Sequence, residues 1–193
     1  MSEIEELSKK FGKPKIYNFK LEALAPFSPP FDSRHSKTEI VLVLRNSDGK
    51  IWLHRKSYYP KDTLRLHTGG VETSESVYDA LRRELKEETS LEKDPDKFLA
   101  IINYRLNSPK HNAKFVDYLF LFNNVDTNPQ PLDETENIEE IKLVGLNDFP
   151  SVVNILSRQP HNSPNTEKQI GFWADWGRFR AISHNVVFNL LRE

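Results

Sequence analysis

The segment GGVETSESVYDALRRELKEETSL, residues 69–91, constrains the structure of this chain more than any other. The apolar residues of its first half share one side of a predicted helix, at about 100° per residue: Val77, Ala80 and Leu81. Glu84 and Glu88 fall within that same sector, and Glu87 lies next to it. Charged residues of a surface helix ordinarily face solvent, so three carboxylates on the packing side need a specific partner.

The start of this helix is predicted from its capping residues. The Ser76 hydroxyl can cap the helix, and Asp79, three residues later, completes a capping box. We therefore expect a helix over residues 76–89.

A divalent cation would neutralise the three carboxylates. Like charges one turn apart destabilise an exposed helix by about 0.2–0.5 kcal/mol per pair, and by more where the surroundings screen them poorly. Carboxylates one turn apart can both supply oxygen ligands to Mg²⁺ or Mn²⁺, which retain water and accept phosphate oxygens as further ligands. The helix thus predicts a metal site, and removing one charge is expected to relieve repulsion in the metal-free protein.

Composition limits the classes of function. A chain of 193 residues is long enough for one domain with a core and too short for two ordinary domains. Its 27 Lys and Arg residues balance 28 Asp and Glu residues, for a net charge of -1, so a nucleic-acid partner is not expected. The absence of cysteine excludes disulfides, thiolate metal ligands and a cysteine nucleophile. With no secretory signal pattern and no apolar stretch of the ~20 residues that span a bilayer, we expect a cytoplasmic protein without membrane contact.

The order of the predicted elements indicates an α/β fold. Residues 1–37 are interpreted as an ill-defined arm, because the prolines of APFSPPFD disfavour regular structure, and residues 38–193 as one domain. Five segments have strand patterns: TEIVLVLR (38–45), KIWLHR (50–55), KFLAIINYRL (97–106), KFVDYLFLFN (114–123) and IKLVGL (141–146). The first two flank the turn signal NSDG and predict a hairpin, and SPKHN is the expected turn between the next two.

The C-terminal part, from about residue 150 to residue 193, is predicted to be helical. Its last segment places a largely apolar stripe on one helix face: Trp176, Phe179, Ile182, Ser183, Val186, Val187, Leu190 and Leu191. A stripe this apolar is expected to pack on the domain or on a second subunit. Phe172, Trp173 and Trp176 could stack on a nucleobase, but aromatic residues that lead into such a helix more often fill a core.

Residues 69–91 resemble a Nudix box. The matching positions are Gly69, Glu75, Arg83, Glu84, Leu85, Glu87, Glu88 and Leu91. Ser90 stands in place of the last glycine of the box, where a left-handed turn would cost a serine about 1 kcal/mol, and Thr68 stands where many members have proline. The flanking strands extend the resemblance to roughly residues 38–150. The resemblance implies a Nudix α/β/α sandwich with a mixed β-sheet, the Nudix-box helix and an added C-terminal helix.

The resemblance also implies a Nudix hydrolase that cleaves a nucleoside diphosphate linked to another moiety. Glu84 and Glu88 would be the principal ligands of Mg²⁺ or Mn²⁺, and Glu87 would join a further ion. The backbone carbonyl of Thr68 or Gly69 would complete the metal ligands. Arg83, one turn before Glu87, would orient the glutamates.

The remaining roles are assigned to residues outside the helix. Arg55, Lys56 and Gly70 are the expected contacts of the substrate phosphates, although a basic pair at a strand end can also be ordinary solvated charge. The general base would come from the box or from a later loop, for which Glu136 and Glu139 are the leading candidates, and Glu134 and Glu140 are the others. No histidine is assigned to a metal, and His67, near the expected metal loop, is interpreted as structural.

Two other functions occur on the same fold. A non-catalytic nucleotide-binding or regulatory Nudix domain typically loses glutamates of the box, whereas this chain keeps them. An isoprenoid diphosphate isomerase relies on a catalytic cysteine, which this chain lacks. The resemblance allows a homodimer, and the individual substrate stays unassigned.

Overall fold

A computed structural model describes residues 2–23, 37–107, 112–132, 134–160 and 173–193. Its helices are α1 (Glu3–Phe11), α2 (Val77–Thr89), α3 (Phe149–Ser157) and α4 (Trp173–Arg192). Its strands are β1 (Lys15–Glu22), β2 (Thr38–Leu44), β3 (Ile51–Lys56), β4 (His67–Gly70), β5 (Lys97–Asn107), β6 (Asn112–Phe122) and β7 (Ile138–Val144). Most of the predicted turn SPKHN, together with Asp133 and Phe172, lies outside the described residues.

The central sheet has five strands in the order β1-β5-β6-β2-β4. Strand β1 is parallel to β5 and β6 is parallel to β2, whereas the β5–β6 and β2–β4 pairs are antiparallel. The predicted β5–β6 pair is confirmed, and the sheet is mixed, as the resemblance implies. Strands β3 and β7 form a separate two-stranded antiparallel sheet.

Two apolar cores cover the two faces of the central sheet, which gives the α/β/α arrangement. Alternate residues of β2 enter different cores because successive side chains of a strand point to opposite faces. Ile40, Leu42 and Leu44 pack with α1 and α2. Val41 and Val43 pack with the small sheet, α3 and α4. The Nudix-box helix is therefore held on one face, with Val77 and Leu81 buried as expected.

The hairpin predicted for residues 38–55 is wrong beyond its turn. The turn itself forms, since the Asn46 amide donates to the Lys50 carbonyl at 2.9 Å and Arg45 is bridged to Ile51. After this bridge the strands part, because β4 and β6 already occupy both edges of β2. Strand β3 pairs instead with β7, with Ile51 opposite Val144.

The ill-defined arm predicted for residues 1–37 is wrong over residues 3–22. Helix α1 begins with a capping box between Ser2 and Glu5, and it buries Leu7 and Phe11 against α2. Strand β1 then adds a parallel edge to β5. The prolines that suggested irregular structure lie in residues 24–36, outside the described part of the chain.

The C-terminal helix packs on the domain. Five residues of the predicted stripe are buried: Trp176, Phe179, Ser183, Val186 and Val187. At Gly177 a Cβ would overlap the Leu156 carbonyl oxygen, so only glycine lets α4 approach α3 this closely. Trp173 and Trp176 form an aromatic cluster with Tyr59, which confirms that they belong to the core. Within the described residues, no helix is both long and apolar enough to cross a membrane.

Candidate metal and active site

Helix α2 presents the predicted site at its second half, and both of its ends are fixed by local hydrogen bonds. The Ser76 hydroxyl accepts from the Asp79 amide at 3.0 Å and donates to the Asp79 carboxylate at 2.7 Å. At the other end, Ser90 has a φ of 57°, the left-handed conformation for which other Nudix boxes use glycine. Its amide donates to the Lys86 carbonyl at 2.9 Å and its hydroxyl to the Gln130 carbonyl at 2.9 Å.

Arg83 connects the carboxylates of the site. Its guanidinium donates to both oxygens of Glu75 at 2.8 Å, to Glu84 at 2.6 Å and to Glu87 at 3.0 Å. A further hydrogen bond, at 2.9 Å, reaches the carbonyl of Gly70. The planar fork of arginine can satisfy several acceptors at once, so this side chain fixes the glutamates relative to the end of β4. The orienting role implied by the resemblance is consistent with this geometry.

Gly69 lets the Glu84 carboxylate lie directly on β4. A Cβ built at Gly69 would overlap the carboxylate carbon and both oxygens of Glu84, whereas a Cβ at Gly70 would meet nothing within 4 Å. Any side chain at position 69 would therefore displace Glu84. The first glycine of the pair makes room for a candidate metal ligand.

The burial of Glu84 changes its ionisation. Burial, followed by the negative charge of Glu88, raises the pKa of Glu84 to about 7, although Arg83 opposes the shift. In the metal-free protein near neutral pH, this carboxylate is therefore divided between its protonated and ionised forms. A bound cation would favour the ionised form.

Glu88 is also buried but is surrounded by donors. One of its oxygens, Oε2, accepts from the Thr68 amide at 3.1 Å and lies 3.2 Å from Nδ1 of His67. Oε1 is 3.5 Å from the Lys56 ammonium. Burial alone would raise the pKa of Glu88, but the His67 hydrogen bond and the Lys56 charge outweigh it and hold the pKa at about 2. Adjacent carboxylates on one helix thus differ strongly in proton affinity.

Lys56 and Glu136 join the site from the small sheet. The Lys56 ammonium lies between Glu88 and Glu136, at 2.9 Å from Glu136. Although burial opposes its charge, these carboxylates raise the pKa of Lys56. Of the two basic residues at the end of β3, Lys56 is the one that lies beside a glutamate of helix α2, Glu88.

Arg55 and Glu139 pair with each other instead. The Arg55 guanidinium donates to Glu139 at 2.8 Å and to Glu140 at 3.2 Å, across the β3–β7 pair. This pairing supports the interpretation of Arg55 as an ordinary charged residue at the end of a strand, and not as a contact of the substrate phosphates. Among the base candidates, Glu136 pairs with Lys56 beside Glu88, whereas Glu139 pairs with Arg55.

Two buried histidines lie beside Glu88: His67, which the sequence analysis interprets as structural, and His54, to which it gives no role. The ring centroids of His54 and His67 are 4.3 Å apart, and both side chains are fully buried. Burial, with the neighbouring positive charges, holds the pKa of His54 well below its ordinary value, so its imidazole is neutral. Donor atoms of these histidines and Glu88 lie within 4.8 Å of one another, a group able to hold a metal ion. The histidines are 13 residues apart on different strands, so no ligand spacing in the sequence pointed to this group.

A buried polar network supports the site from behind β4. The Thr68 hydroxyl donates to Glu39 at 2.6 Å and accepts from Arg65 at 2.9 Å. Glu39 in turn forms an ion pair with Arg180 of α4. Glu39 and Arg180 are 141 positions apart, and the sequence analysis assigned no role to either. The added C-terminal helix is thus linked through Glu39 to the strand that holds the predicted metal loop.

The donor set fits a hard divalent cation next to helix α2. Glu84, Glu87 and Glu88 provide carboxylate oxygens, the ligand type that Mg²⁺ and Mn²⁺ prefer. Of these, Glu84 lies in a cradle that a Cβ at position 69 would fill. The neighbouring imidazoles add nitrogen donors, which suit transition metals.

The chain was compared with curated proteins and with solved structures. No curated protein matches the chain. Among solved structures, the MutT protein from Methanosarcina mazei Go1 has 18% sequence identity and a TM-score of 0.48, covering 77% of this chain and 94% of its own. The E. coli dihydroneopterin triphosphate pyrophosphohydrolase has 15% identity and a TM-score of 0.47, covering 78% and 95%. A C. elegans Ap4A hydrolase has 20% identity and a TM-score of 0.42, covering 61% and 85%.

A family model gives the assignment. The model described as the NUDIX domain matches residues 35–167, more than half of the chain. The match includes β2 to β7, helix α2 and the box residues described above. The chain therefore belongs to the Nudix family.

Proposed function

We propose that this protein is a metal-dependent hydrolase that cleaves a diphosphate linkage in a nucleoside diphosphate linked to another moiety. The observation that carries the proposal is the convergence of Glu84, Glu87 and Glu88 on one side of α2, where Arg83 holds Glu84 and Glu87 against the end of β4. The charge of Glu84 is unfavourable at this buried position beside Glu88, and a bound cation would neutralise it. The substrate class is a small nucleotide-type molecule.

The metal would be Mg²⁺ or Mn²⁺. Glu84 and Glu88 would be its principal ligands, with Glu87 on a further ion and a backbone carbonyl of Thr68 or Gly69 completing the set. When bound, such an ion polarises phosphoryl oxygens, lowers the pKa of a bound water and neutralises charge on the leaving group.

The other side chains of the site bind and orient. Arg83 keeps the glutamates in place through its four hydrogen-bonded partners. Lys56 supplies a positive charge beside Glu88, where it can bind a phosphoryl oxygen of the substrate. Glu136, which lies on the other side of the Lys56 ammonium, is the proposed general base that takes a proton from the attacking water. The water oxygen then forms the new bond to phosphorus as the bridging P–O bond breaks.

The test is a substrate screen with a variant whose fold is expected to be intact. Purified protein is incubated with nucleoside diphosphates linked to sugars, nucleosides and phosphates, with Mg²⁺, Mn²⁺ or EDTA, and products are separated by HPLC. We expect at least one substrate to be hydrolysed only with metal, and Glu84→Gln to reduce the rate at least about 100-fold. Glu92→Gln is the matched control, because Glu92 is exposed and pairs with Lys86 on the other side of the helix.

Three outcomes would contradict the proposal. If the protein binds nucleotides but turns over none of the panel, it is a non-catalytic Nudix domain. If hydrolysis proceeds unchanged in EDTA, or if Glu84→Gln retains full activity, the three glutamates do not have the proposed role.

A further inference from the structure

Three histidines are buried within the described residues, and their hydrogen bonding differs sharply. His184 on α4 is satisfied at both ring nitrogens: Nε2 accepts from the Leu66 amide at 2.9 Å, and Nδ1 donates to the Arg180 carbonyl at 2.8 Å. In contrast, both ring nitrogens of His54 and Nε2 of His67 have no hydrogen-bond partner in the described part of the chain. Buried polar groups in native proteins are nearly always paired, so these nitrogens indicate a ligand.

The two histidines lie beside each other and beside Glu88: their ring centroids are 4.3 Å apart, and Nδ1 of His67 is 3.2 Å from Oε2 of Glu88. A carboxylate oxygen accepts hydrogen bonds, so Nδ1 of His67 is the donor in this contact. This nitrogen and this oxygen face each other, and an ion between them would contact both. Ligand atoms from His54, His67 and Glu88 lie within 4.8 Å of one another, although the residues belong to β3, β4 and α2.

We propose that His54, His67 and Glu88 form a binding site for a divalent transition-metal ion, of the class Mn²⁺, Co²⁺ or Zn²⁺. Imidazole nitrogen suits these ions, whereas Mg²⁺ prefers oxygen ligands and retains its water. Two imidazoles and one carboxylate are a ligand set that leaves further positions for water or substrate oxygen. The inference rests on the proposed function in one respect, because Glu88 is also a proposed Mg²⁺ ligand and would be shared by the two sites.

The competing explanation is that the two imidazoles only fill the core. His54 contacts the Tyr59 ring as well as His67, and neutral aromatic rings pack well in an apolar interior. The two explanations predict different effects on metal binding when the ring nitrogens of His54 are removed and an aromatic ring is kept. His54→Phe makes this change without breaking any hydrogen bond that the described residues form.

The experiment measures metal binding and needs no substrate. Protein stripped with EDTA is titrated with Co²⁺ and with Mg²⁺, and the Co²⁺ complex is followed by its visible absorption. The Mn²⁺ complex is examined by pulsed EPR for modulation from ¹⁴N. Wild type, His54→Phe and Tyr59→Phe are compared, since Tyr59→Phe alters the ring next to His54 and leaves the proposed ligands in place.

We expect ¹⁴N modulation in the wild-type Mn²⁺ complex and an intense Co²⁺ spectrum. His54→Phe should lose at least about tenfold in Co²⁺ affinity while its Mg²⁺ affinity stays near that of wild type, and Tyr59→Phe should bind both ions normally. Absence of ¹⁴N modulation in wild type, or unchanged Co²⁺ binding in His54→Phe, would overturn the proposal. If His54→Phe does not fold, X-ray absorption of the Zn²⁺-loaded wild type decides the question by showing imidazole ligands or only oxygen.

The outcome separates this inference from the proposed function. Nitrogen ligation in a protein that hydrolyses nothing would leave the histidine site standing and refute the hydrolase. Hydrolysis with Mg²⁺ in a protein without nitrogen ligation would do the reverse.

Discussion

Replacing Glu84 with Gln should stabilise the metal-free protein at alkaline pH and not at acidic pH. The pKa of Glu84 is raised from an ordinary value of 4.5 to about 7, because of its burial and the neighbouring charge of Glu88. The folded protein therefore binds a proton between these two values that the unfolded chain has released, so its stability falls as the pH rises through this window. The difference of pKa corresponds to about 3 kcal/mol of unfolding free energy.

The size of this pKa shift predicts how the stability difference between wild type and Glu84→Gln depends on pH. At about pH 8 the wild type carries the full cost of ionised Glu84, so Glu84→Gln should be more stable by up to about 3 kcal/mol in EDTA. At about pH 5 both side chains are neutral, and the difference should be small. Adding millimolar Mg²⁺ at pH 8 should reverse the order, because the wild type gains stability from binding and the variant gains less.

The assay is urea denaturation of both proteins at the two pH values, with and without metal. Glu75→Gln is the matched control, because Glu75 also pairs with Arg83 but its pKa is lowered by that pair. Removing this favourable charge should destabilise the protein at pH 8. The reasoning is refuted if Glu84→Gln is less stable than wild type by the same amount at both pH values.

Four further predictions follow from packing and charge, each with its own measurement. Gly69→Ala should abolish the binding of Mg²⁺ in calorimetry because its Cβ displaces Glu84, whereas Gly70→Ala, with open space at that position, should keep it. Arg180→Met should lower the unfolding free energy by about 3–5 kcal/mol, because it leaves Glu39 buried without its ion pair; a loss below about 1 kcal/mol would contradict this. Burial and the Glu39 charge raise the pKa of Asp117 well above its ordinary value, so Asp117→Asn should unfold at the same urea concentration as wild type at pH 7. The apolar stripe of α4 is packed inside the domain, so light scattering should give a monomer mass, and a dimer mass would show that another surface associates.

The helix and the positions of its three glutamates were predictable because they depend on local spacing. A period of 3.6 residues fixes which side chains share a face, and the caps at Ser76 and Ser90 lie within the same segment. Five of the seven described strands were predicted from their apolar or alternating residues, whereas β1 and β4 were not. The partner of β3 was not predictable either, since β3 leaves β2 only because β4 and β6 occupy its edges, a condition set by segments far along the chain.

The electrostatic difference between the glutamates could not be read from the sequence. Spacing treats Glu84 and Glu88 alike, and it suggested that removing either charge would relieve repulsion. The structure assigns the repulsion to Glu84, because ionised Glu88 is stabilised by the Lys56 charge and by hydrogen bonds to His67 and to the Thr68 amide. Glu88→Gln should therefore destabilise the metal-free protein, which corrects the expectation from spacing.

The unequal pKa values predict that metal binding at the proposed site would be a proton-linked process. Glu88, with a pKa of about 2, is ionised at every physiological pH and offers a permanent negative charge. Glu84, with a pKa of about 7, must release its proton before its second oxygen can serve as a ligand. Below neutral pH a proton and a cation therefore compete for Glu84, and metal affinity should rise as the pH passes through 7. The fold tolerates this unfavourable carboxylate because Arg83 links α2 to the end of β4, and the Arg180–Glu39–Thr68 network links β4 to β2 and α4 in the absence of metal.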